Sequence, residues 1–279
     1  MATPTLSEFT LPGTLGEIAV SVRSAGRGSA RPAVVLVHGF KGFRSWAFFP
    51  YLADQLARAG FTVVSYSASG SGVDAAGEFV LPDRFGHDTY SAELADLRTV
   101  LTALHDGGLG VAAPSSLGLM GHSRGGGIAL LQAARDPRVR ALVTWASIGE
   151  VDRWGPETKS EWRARGRIDV VNQRTQQVLP LYLDVLEEVE AQGRGRLDLE
   201  AAAREVPAPW LLLHGEEDES VSPAESERLH AASGRPTTEL KLVSGAGHTF
   251  GATHPLAGVP EALDRVVRQT VGWFGAHLT

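Results

Sequence analysis

The segment Gly121-His122-Ser123-Arg124-Gly125 carries the pattern Gly-x-Ser-x-Gly, which occurs once in the sequence. Residues 116–120 before it form a strand-like run, and residues 128–135 after it favour a helix. A serine at such a strand-to-helix turn has a strained backbone, which pushes its hydroxyl group out of the fold. The pattern therefore makes Ser123 a candidate nucleophile. A turn that only joined a strand to a helix would need no matching base or acid farther along the chain.

Apolar runs and amphipathic stretches alternate on both sides of Ser123. The strand-like runs are residues 33–37, 61–66, 116–120, 141–145, 210–213 and 238–243. Helix-like stretches cover residues 45–59, 91–105, 128–135, 199–205, 223–232 and 261–277. Residues 9–12 and 17–22 indicate an antiparallel hairpin at the start of the chain. Repeated strand and helix units of this kind predict an α/β protein with a doubly wound, mostly parallel sheet.

The alternation breaks between residues 147 and 196. This segment is more polar, contains Trp154 and Trp162, and has one predicted amphipathic helix at residues 181–190. A segment of about 50 residues is marginal for independent folding. We therefore predict an inserted helical cap at residues 147–196, which divides a single core into residues 1–146 and 197–279.

The composition excludes several classes of protein. Of the 279 residues, 43% are hydrophobic and 21% are charged, as is ordinary for a globular enzyme. A formal net charge of −6 argues against a nucleic-acid partner, and the lack of cysteine excludes disulfides, thiolate nucleophiles and cysteine-bound metals. No apolar run reaches the roughly 18 residues of a membrane span, and residues 1–10 lack a signal-peptide pattern. We expect a cytoplasmic protein without a membrane partner; the sequence leaves the oligomeric state open.

Two further strand ends supply the groups that a serine nucleophile needs. A serine hydroxyl requires a general base, and the base requires a third group that fixes its tautomer. The strand at 210–213 runs into His214-Gly215-Glu216-Glu217-Asp218, and the strand at 238–243 runs into Gly245-Ala246-Gly247-His248. Loops at the carboxyl ends of parallel strands meet at one edge of the sheet. The sequence therefore predicts that Ser123, a carboxylate and a histidine converge there.

These motifs, in the order serine, acid and histidine, resemble the α/β-hydrolase superfamily, and the resemblance covers nearly the whole chain. It implies the α/β-hydrolase fold. It also implies that Ser123 is the nucleophile, Asp218 the orienting acid and His248 the general base.

The resemblance further implies an oxyanion hole made of two backbone N–H groups. One belongs to Arg124, directly after the nucleophile, and the other to Phe40 in the loop His38-Gly39-Phe40-Lys41-Gly42. Relatives often have glutamine where this chain has Arg124. The arginine side chain either adds a positive charge at the mouth of the site or pairs with a surface carboxylate.

Neighbouring residues compete for the role of the acid. Glu216, Glu217 and Glu219 crowd Asp218 in the same loop. The family spacing from His214-Gly215 favours Asp218, and the other three then form a solvated acidic loop.

Several histidines compete with His248 for the role of the base. His254 lies six positions later, beside a proline that suggests a helix-start turn. His122 lies inside the turn and is expected to pack beside the nucleophile. His38 and His214 precede glycines at strand ends, where we expect structural hydrogen bonds.

Within the superfamily, the chain looks most like the feruloyl and cinnamoyl esterases, dienelactone-hydrolase-like proteins and prolyl-oligopeptidase-type catalytic domains. The His38-Gly39-Phe40 loop, the glycine-rich turn and the insert carry this likeness. The serine argues against dienelactone cleavage, because dienelactone hydrolases proper use cysteine. The resemblance implies a serine esterase that cleaves a small-molecule ester through an acyl-enzyme intermediate. A serine peptidase of the prolyl-oligopeptidase type and a non-catalytic ligand receptor are the alternatives.

The cap is expected to cover the site and to shape the substrate pocket. Its candidate substrate contacts are Trp154, Trp162, Asn172, Arg174 and Tyr182. Alternatively, the tryptophans only anchor the cap to the core. No metal or cofactor is implied, because the histidines have neither ligand spacing nor cysteine partners.

Overall fold

A computed structural model describes residues 4–26, 29–74, 76–173 and 175–278. Ten strands are present in this part of the chain: β1 Thr5–Pro12, β2 Glu17–Ser24, β3 Ala33–Val37, β4 Thr62–Ser67, β5 Leu117–His122, β6 Val139–Trp145, β7 Arg167–Val171, β8 Val178–Tyr182, β9 Trp210–Gly215 and β10 Thr238–Val243. Eight of them form one sheet in the order β1-β2-β4-β3-β5-β6-β9-β10. β2 pairs antiparallel with both β1 and β4, and the six strands β4, β3, β5, β6, β9 and β10 run parallel to one another. The predicted mostly parallel sheet is confirmed.

Helices cover both faces of this sheet. The helices in the described part of the chain are α1 Phe49–Arg58, α2 Pro82–Gly86, α3 Tyr90–His105, α4 Arg124–Ala133, α5 Pro156–Arg165, α6 Leu183–Gln192, α7 Leu199–Glu205, α8 Pro223–Ser233 and α9 Glu261–His277, of which α2 and α5 pack against β7 and β8 instead of this sheet. Successive residues of β3 face opposite layers, as the period of a strand requires. Val35 and Val37 pack in the core with α3, α4, α7 and α8, whereas Val34 and Leu36 pack with α1 and α9. A strand buried on both faces explains the continuous apolar run.

Most predicted elements lie at or within a few residues of their expected bounds, but the first helix is shorter than predicted. It begins at Phe49, because residues 43–49 form turns in which Trp46 N–H donates to the carbonyl of Phe43 and Phe49 N–H donates to that of Trp46. Pro50 lies in the first turn of α1, where its missing N–H costs no helical hydrogen bond. The short helix α2 was not predicted.

The segment between β6 and β9 is not purely helical, which corrects the predicted helical cap. The strands β7 and β8 form an antiparallel hairpin between α5 and α6, and the helix predicted at residues 181–190 begins only at Leu183. Leu179 and Leu181 of β8 are buried in a third core cluster with Phe85 of α2. In a sheet of two strands both are edges, so β8 tolerates Pro180.

None of the helices in the described part of the chain combines the length and the hydropathy that a membrane span needs.

The turn between β5 and α4 is closely packed against backbone atoms. A Cβ atom on Gly125 would lie 2.2 Å from the carbonyl oxygen of His38, and one on Gly121 would lie 2.2 Å from the carbonyl oxygen of Gly125. Side chains cannot move aside to relieve such a clash, because the neighbours are main-chain atoms. Glycine is therefore required at both positions.

We predict that Gly125→Ala lowers the free energy of unfolding by about 2 kcal/mol or more, since overpacking against backbone forces the turn to shift. Gly272→Ala is the matched control, because Gly272 lies in α9 with open space at its Cβ position. That change should raise stability by about 0.5–1 kcal/mol, the usual gain for alanine in a helix. Urea unfolding measures both. Wild-type stability in the Gly125 variant would contradict the packing described.

Candidate active site

Ser123 lies between the end of β5 and the start of α4 in a conformation that non-glycine residues rarely adopt. Its φ is 56° and its ψ is −122°. The N–H of Ser123 donates to the carbonyl of Trp145 at 2.9 Å, and a Cβ atom on Gly39 would lie 3.0 Å from the Cβ of Ser123. Strain of this kind costs about 1–3 kcal/mol and persists only where the surroundings enforce it. The result is a serine that borders an open cavity.

His248 and Asp218 reach the same edge of the sheet from the loops after β10 and β9. The Nδ1–H of His248 donates to Oδ2 of Asp218 at 2.8 Å. The Asp218 side chain is fully buried, whereas His248 retains 21% exposure and borders the cavity with Ser123. With Nδ1 donating, the neutral imidazole keeps Nε2 as a proton acceptor.

Asp218 is held by four hydrogen bonds. Its Oδ1 accepts from the backbone N–H groups of Ser220 and Val221, both at 2.9 Å, and its Oδ2 accepts from His214 Nε2 at 3.1 Å as well as from His248. Burial acts to raise the pKa of Asp218, but the hydrogen bonds from His214, His248 and Val221 outweigh it and lower the pKa well below its usual value. The carboxylate is therefore charged and fixed in place.

The other acids of this loop are differently placed. Glu216, Glu217 and Glu219 are exposed, whereas Asp218 is buried against His248. Their exposure agrees with the expectation that these three glutamates form a solvated acidic loop around Asp218.

His254 borders the cavity but makes a different contact. Its Nδ1 accepts a hydrogen bond from the backbone N–H of Ala47 at 2.8 Å, and its ring stacks on Trp46 at a centroid distance of 6.3 Å. His254 thus forms part of the wall of the cavity, while His248 contacts the buried carboxylate.

His122 links the loop of His248 to the serine turn. Its Nε2–H donates to the backbone carbonyl of His248 at 3.0 Å, and the two rings lie 4.8 Å apart. Burial, together with the neighbouring His248, lowers the pKa of His122 to about 3, so the ring is neutral near pH 7. The prediction that His122 packs beside Ser123 is confirmed.

The structural hydrogen bonds predicted for His38 and His214 are also confirmed. In His38, Nδ1–H donates to the carbonyl of Gly39 and Nε2 accepts from the N–H of Ala68, both at 3.0 Å. In His214, Nδ1 pairs with the hydroxyl of Ser226 at 2.7 Å, which leaves Nε2–H for Asp218. Both histidines fix loops at the edge of the sheet.

The Arg124 side chain pairs with a buried carboxylate, so both expectations for it were wrong: its charge is neutralised and is not added to the site, and its partner does not lie at the surface. Arg124 is buried beneath the serine turn, where Nε lies 2.5 Å from Oε1 of Glu93; both side chains are only 5% exposed. Its guanidinium lies 4.0 Å from the ring centroid of Tyr90. The cause is the first turn of α3, which packs under the start of α4 and brings a buried acid to Arg124.

The cavity has two lobes that meet at Ser123. Their volumes are about 410 and 300 Å³. Both are bordered by Phe40, Lys41, Ser123 and His248. The larger lobe is further lined by Trp46, His122, Asn172, Thr249, Thr253 and His254. The smaller lobe is further lined by Tyr90, Arg124, Ile148, Arg153, Trp154 and Val221.

Only some of the predicted cap contacts reach this cavity. Trp154 lines the smaller lobe and Asn172 the larger one. Trp162 is fully buried and packs on Trp154 at 5.0 Å, so it supports the wall without facing the cavity. Tyr182 donates its hydroxyl proton to Asp83 at 2.7 Å, away from both lobes. Arg174 lies outside the described residues.

Several lining residues were not predicted from the sequence, among them the polar residues Tyr90, Lys41 and Arg153. Tyr90 precedes the expected start of its helix, Lys41 was noted only as part of a loop, and Arg153 carried no motif. Their positions depend on tertiary packing. Of these three, only Lys41 could have been identified from the sequence as a residue near the site, because it directly follows Phe40 in the loop His38-Gly39-Phe40-Lys41-Gly42.

The lowered pKa of His122 predicts a loss of stability in acid. A histidine in the unfolded chain binds a proton below about pH 6.5, whereas His122 in the folded chain binds one only near pH 3. The free energy of unfolding should therefore fall as the pH drops between these values, by up to about 1.4 kcal/mol per pH unit from this residue. His122→Asn should reduce that slope in urea unfolding between pH 5.5 and 4. His105→Asn, at an exposed histidine of α3, is the control. Equal slopes in wild type and the His122 variant would refute the buried neutral state.

Comparison with known proteins agrees with this architecture. Residues 34–262 match the profile of the Alpha/beta hydrolase family. A curated relative, 2,6-dihydropseudooxynicotine hydrolase of Paenarthrobacter nicotinovorans, is 24% identical over 191 residues, an alignment that covers 67% of this chain and 44% of that protein. The chain thus spans less than half the length of this relative.

Solved structures share the fold at low sequence identity. The alpha/beta hydrolase GrgF from Penicillium sp. sh18 superimposes with a TM-score of 0.75 at 16% identity, covering 98% of this chain and 99% of that one. Est1E from Butyrivibrio proteoclasticus, solved with ferulic acid bound, has a TM-score of 0.72 at 15% identity, covering 94% of this chain and 95% of that one. These likenesses establish the fold, and the family profile extends over most of the sequence. The protein belongs to the Alpha/beta hydrolase family.

Proposed function

We propose that this hydrolase cleaves carboxylic esters through an acyl-enzyme intermediate, with Ser123, His248 and Asp218 as its catalytic triad. The observation that carries the proposal is the hydrogen bond of 2.8 Å between His248 Nδ1 and a charged, buried Asp218, beside a strained serine that borders the same cavity. A charged acid behind a histidine is the arrangement that a serine nucleophile requires.

In the proposed reaction, Ser123 Oγ attacks the ester carbonyl carbon while its proton passes to Nε2 of His248. Asp218 stabilises the imidazolium that forms. His248 then returns the proton to the leaving alcohol as the C–O bond breaks, which yields the acyl-enzyme. A water molecule, deprotonated by His248, attacks the acyl carbon; His248 then returns this proton to Ser123 Oγ as the bond between Oγ and the acyl carbon breaks, which releases the acid and regenerates the serine hydroxyl.

The negative oxygen of the tetrahedral intermediate requires hydrogen-bond donors. We assign these to the backbone N–H groups of Phe40 and Arg124. Phe40 borders both lobes beside Ser123, and Arg124 is the first residue of α4. The N-terminal N–H groups of a helix have no partner inside it, and the helix dipole favours negative charge at this end. One such donor typically contributes about 3 kcal/mol to transition-state stabilisation.

The charge of the cavity favours an ester over a peptide with a free amino terminus. Recognition of an α-amino group requires a carboxylate, and no Asp or Glu is among the described residues that line either lobe. Two lobes that meet at Ser123 suit the acyl and alcohol parts of a small ester.

Ser123→Ala is expected to abolish hydrolysis of 4-nitrophenyl butyrate, with a loss of up to about a millionfold in kcat if the three residues act as a unit. A fluorophosphonate probe should label the wild-type protein and not the variant. Circular dichroism checks that the variant is folded. Full activity in Ser123→Ala would overturn the assignment of the nucleophile.

Asp218→Asn should lower kcat for the same ester by about 10⁴, because an amide cannot stabilise the imidazolium and permits the wrong tautomer. Glu217→Gln is the matched control, since Glu217 is the exposed neighbour in the same loop. Steady-state kinetics should find the control within about twofold of wild type, as expected for a solvated charge. Equal losses in both variants would remove Asp218 from its role.

A further inference from the structure

Lys41 borders both lobes of the cavity and is the residue after the proposed oxyanion donor Phe40. Its backbone has a φ of 59°, a left-handed conformation that helps to define the path of the loop. Its half-buried side chain donates from Nζ to the backbone carbonyl of Val171 at 3.2 Å and lies 5.4 Å from the ring centroid of Phe40. Burial lowers the pKa of Lys41.

The other two lysines of the chain are paired with acids. Lys159 Nζ lies 2.5 Å from Oδ2 of Asp152, and Lys241 Nζ lies 3.2 Å from Oε2 of Glu239. Lys41 has no ion pair with a carboxylate anywhere in the described ranges. Removing an ammonium group partly from water without a counter-ion is unfavourable. A functional role would account for the position of Lys41 beside the proposed nucleophile.

The remaining cations of the cavity are already neutralised. Arg124 pairs with Glu93, and Arg153 Nη1 lies 2.7 Å from Oε2 of Glu225. Since the described lining contains no acid, Lys41 supplies the uncompensated charge of the cavity, in a chain whose formal net charge is −6. A local positive site within a negative protein favours an anionic ligand.

We propose that the ester substrate carries a carboxylate group that binds the Lys41 ammonium, an inference that rests on the proposed esterase activity. The carboxylate would replace the contact between an ammonium and a neutral carbonyl with a hydrogen bond between two opposite charges. Since Lys41 follows Phe40 directly, the carboxylate lies near the oxyanion hole, separated from the scissile carbonyl by a short spacer. It reaches Lys41 from the acyl or the alcohol side, because Lys41 borders both lobes.

A structural role for Lys41 makes a different prediction. Its bond to Val171 joins the loop of Phe40 to the end of β7. If that contact were its purpose, replacing Lys41 would change the hydrolysis of all esters alike. Recognition of a carboxylate changes only the esters that carry one.

Two matched pairs of esters separate these roles. On the acyl side, the mono-4-nitrophenyl ester of adipic acid is compared with its terminal carboxamide analogue. On the alcohol side, 4-carboxyphenyl butyrate is compared with 4-carbamoylphenyl butyrate. Each kcat/KM is measured relative to the spontaneous hydrolysis of the same ester, which corrects for differences in intrinsic reactivity.

The wild-type protein should favour the carboxylate member of at least one pair by roughly ten- to hundredfold, the effect of one hydrogen bond between charged groups. Lys41→Gln should abolish this preference, mainly through KM, while its hydrolysis of the neutral esters shows that it is folded. Lys41→Arg should retain much of the preference. Lys241→Gln, at an exposed lysine of β10, should match wild type.

The inference would be overturned if the wild-type protein hydrolysed the neutral and the carboxylate esters equally well, or if the carboxylate preference survived in Lys41→Gln. Either result would leave the esterase assignment intact. If the wild-type protein cleaved none of the four esters and a fluorophosphonate did not label Ser123, both the inference and the esterase assignment would be overturned.

Discussion

The backbone turn at Ser123 is the constraint on which the site depends. Its torsion angles are unfavourable for an L-residue, and they persist because main-chain atoms of the neighbouring strand and helix surround the turn. Gly121 and Gly125 permit this approach, since a Cβ atom at either position would overlap a carbonyl oxygen. The packing of β3, β5 and α4 therefore holds the serine beside the cavity, and the strain is stabilised by the core of the whole sheet.

Hydrogen bonds hold Asp218 and His248, the proposed partners of Ser123, in place. His214 and two backbone N–H groups hold the Asp218 carboxylate, while His122 holds the backbone of His248. His122 is neutral near pH 7, so it does not repel a proton arriving at His248. In the proposed reaction, this arrangement leaves Nε2 of His248 to accept the proton of Ser123.

Much of this architecture was readable from the sequence because its signals are local. Continuous apolar runs such as residues 33–37 mark strands buried on both faces, and the ordered loops after β5, β9 and β10 pointed to Ser123, Asp218 and His248. What could not be read depends on contacts between distant segments. The ion pair of Arg124 with Glu93 exists because α3 packs under α4, and the hairpin of β7 and β8 is stabilised by a cluster that includes α2.

The central claim is that Ser123, His248, Asp218 and the two backbone donors work on one reacting carbon. A crystal structure of the protein inactivated by a fluorophosphonate tests this most directly, because the phosphorus adduct mimics the tetrahedral intermediate. We expect a bond from Ser123 Oγ to phosphorus, with the phosphoryl oxygen about 2.7–3.1 Å from the N–H groups of Phe40 and Arg124. We also expect Nε2 of His248 within hydrogen-bond distance of Oγ. An adduct on another residue, or a phosphoryl oxygen turned away from both donors, would contradict the central claim.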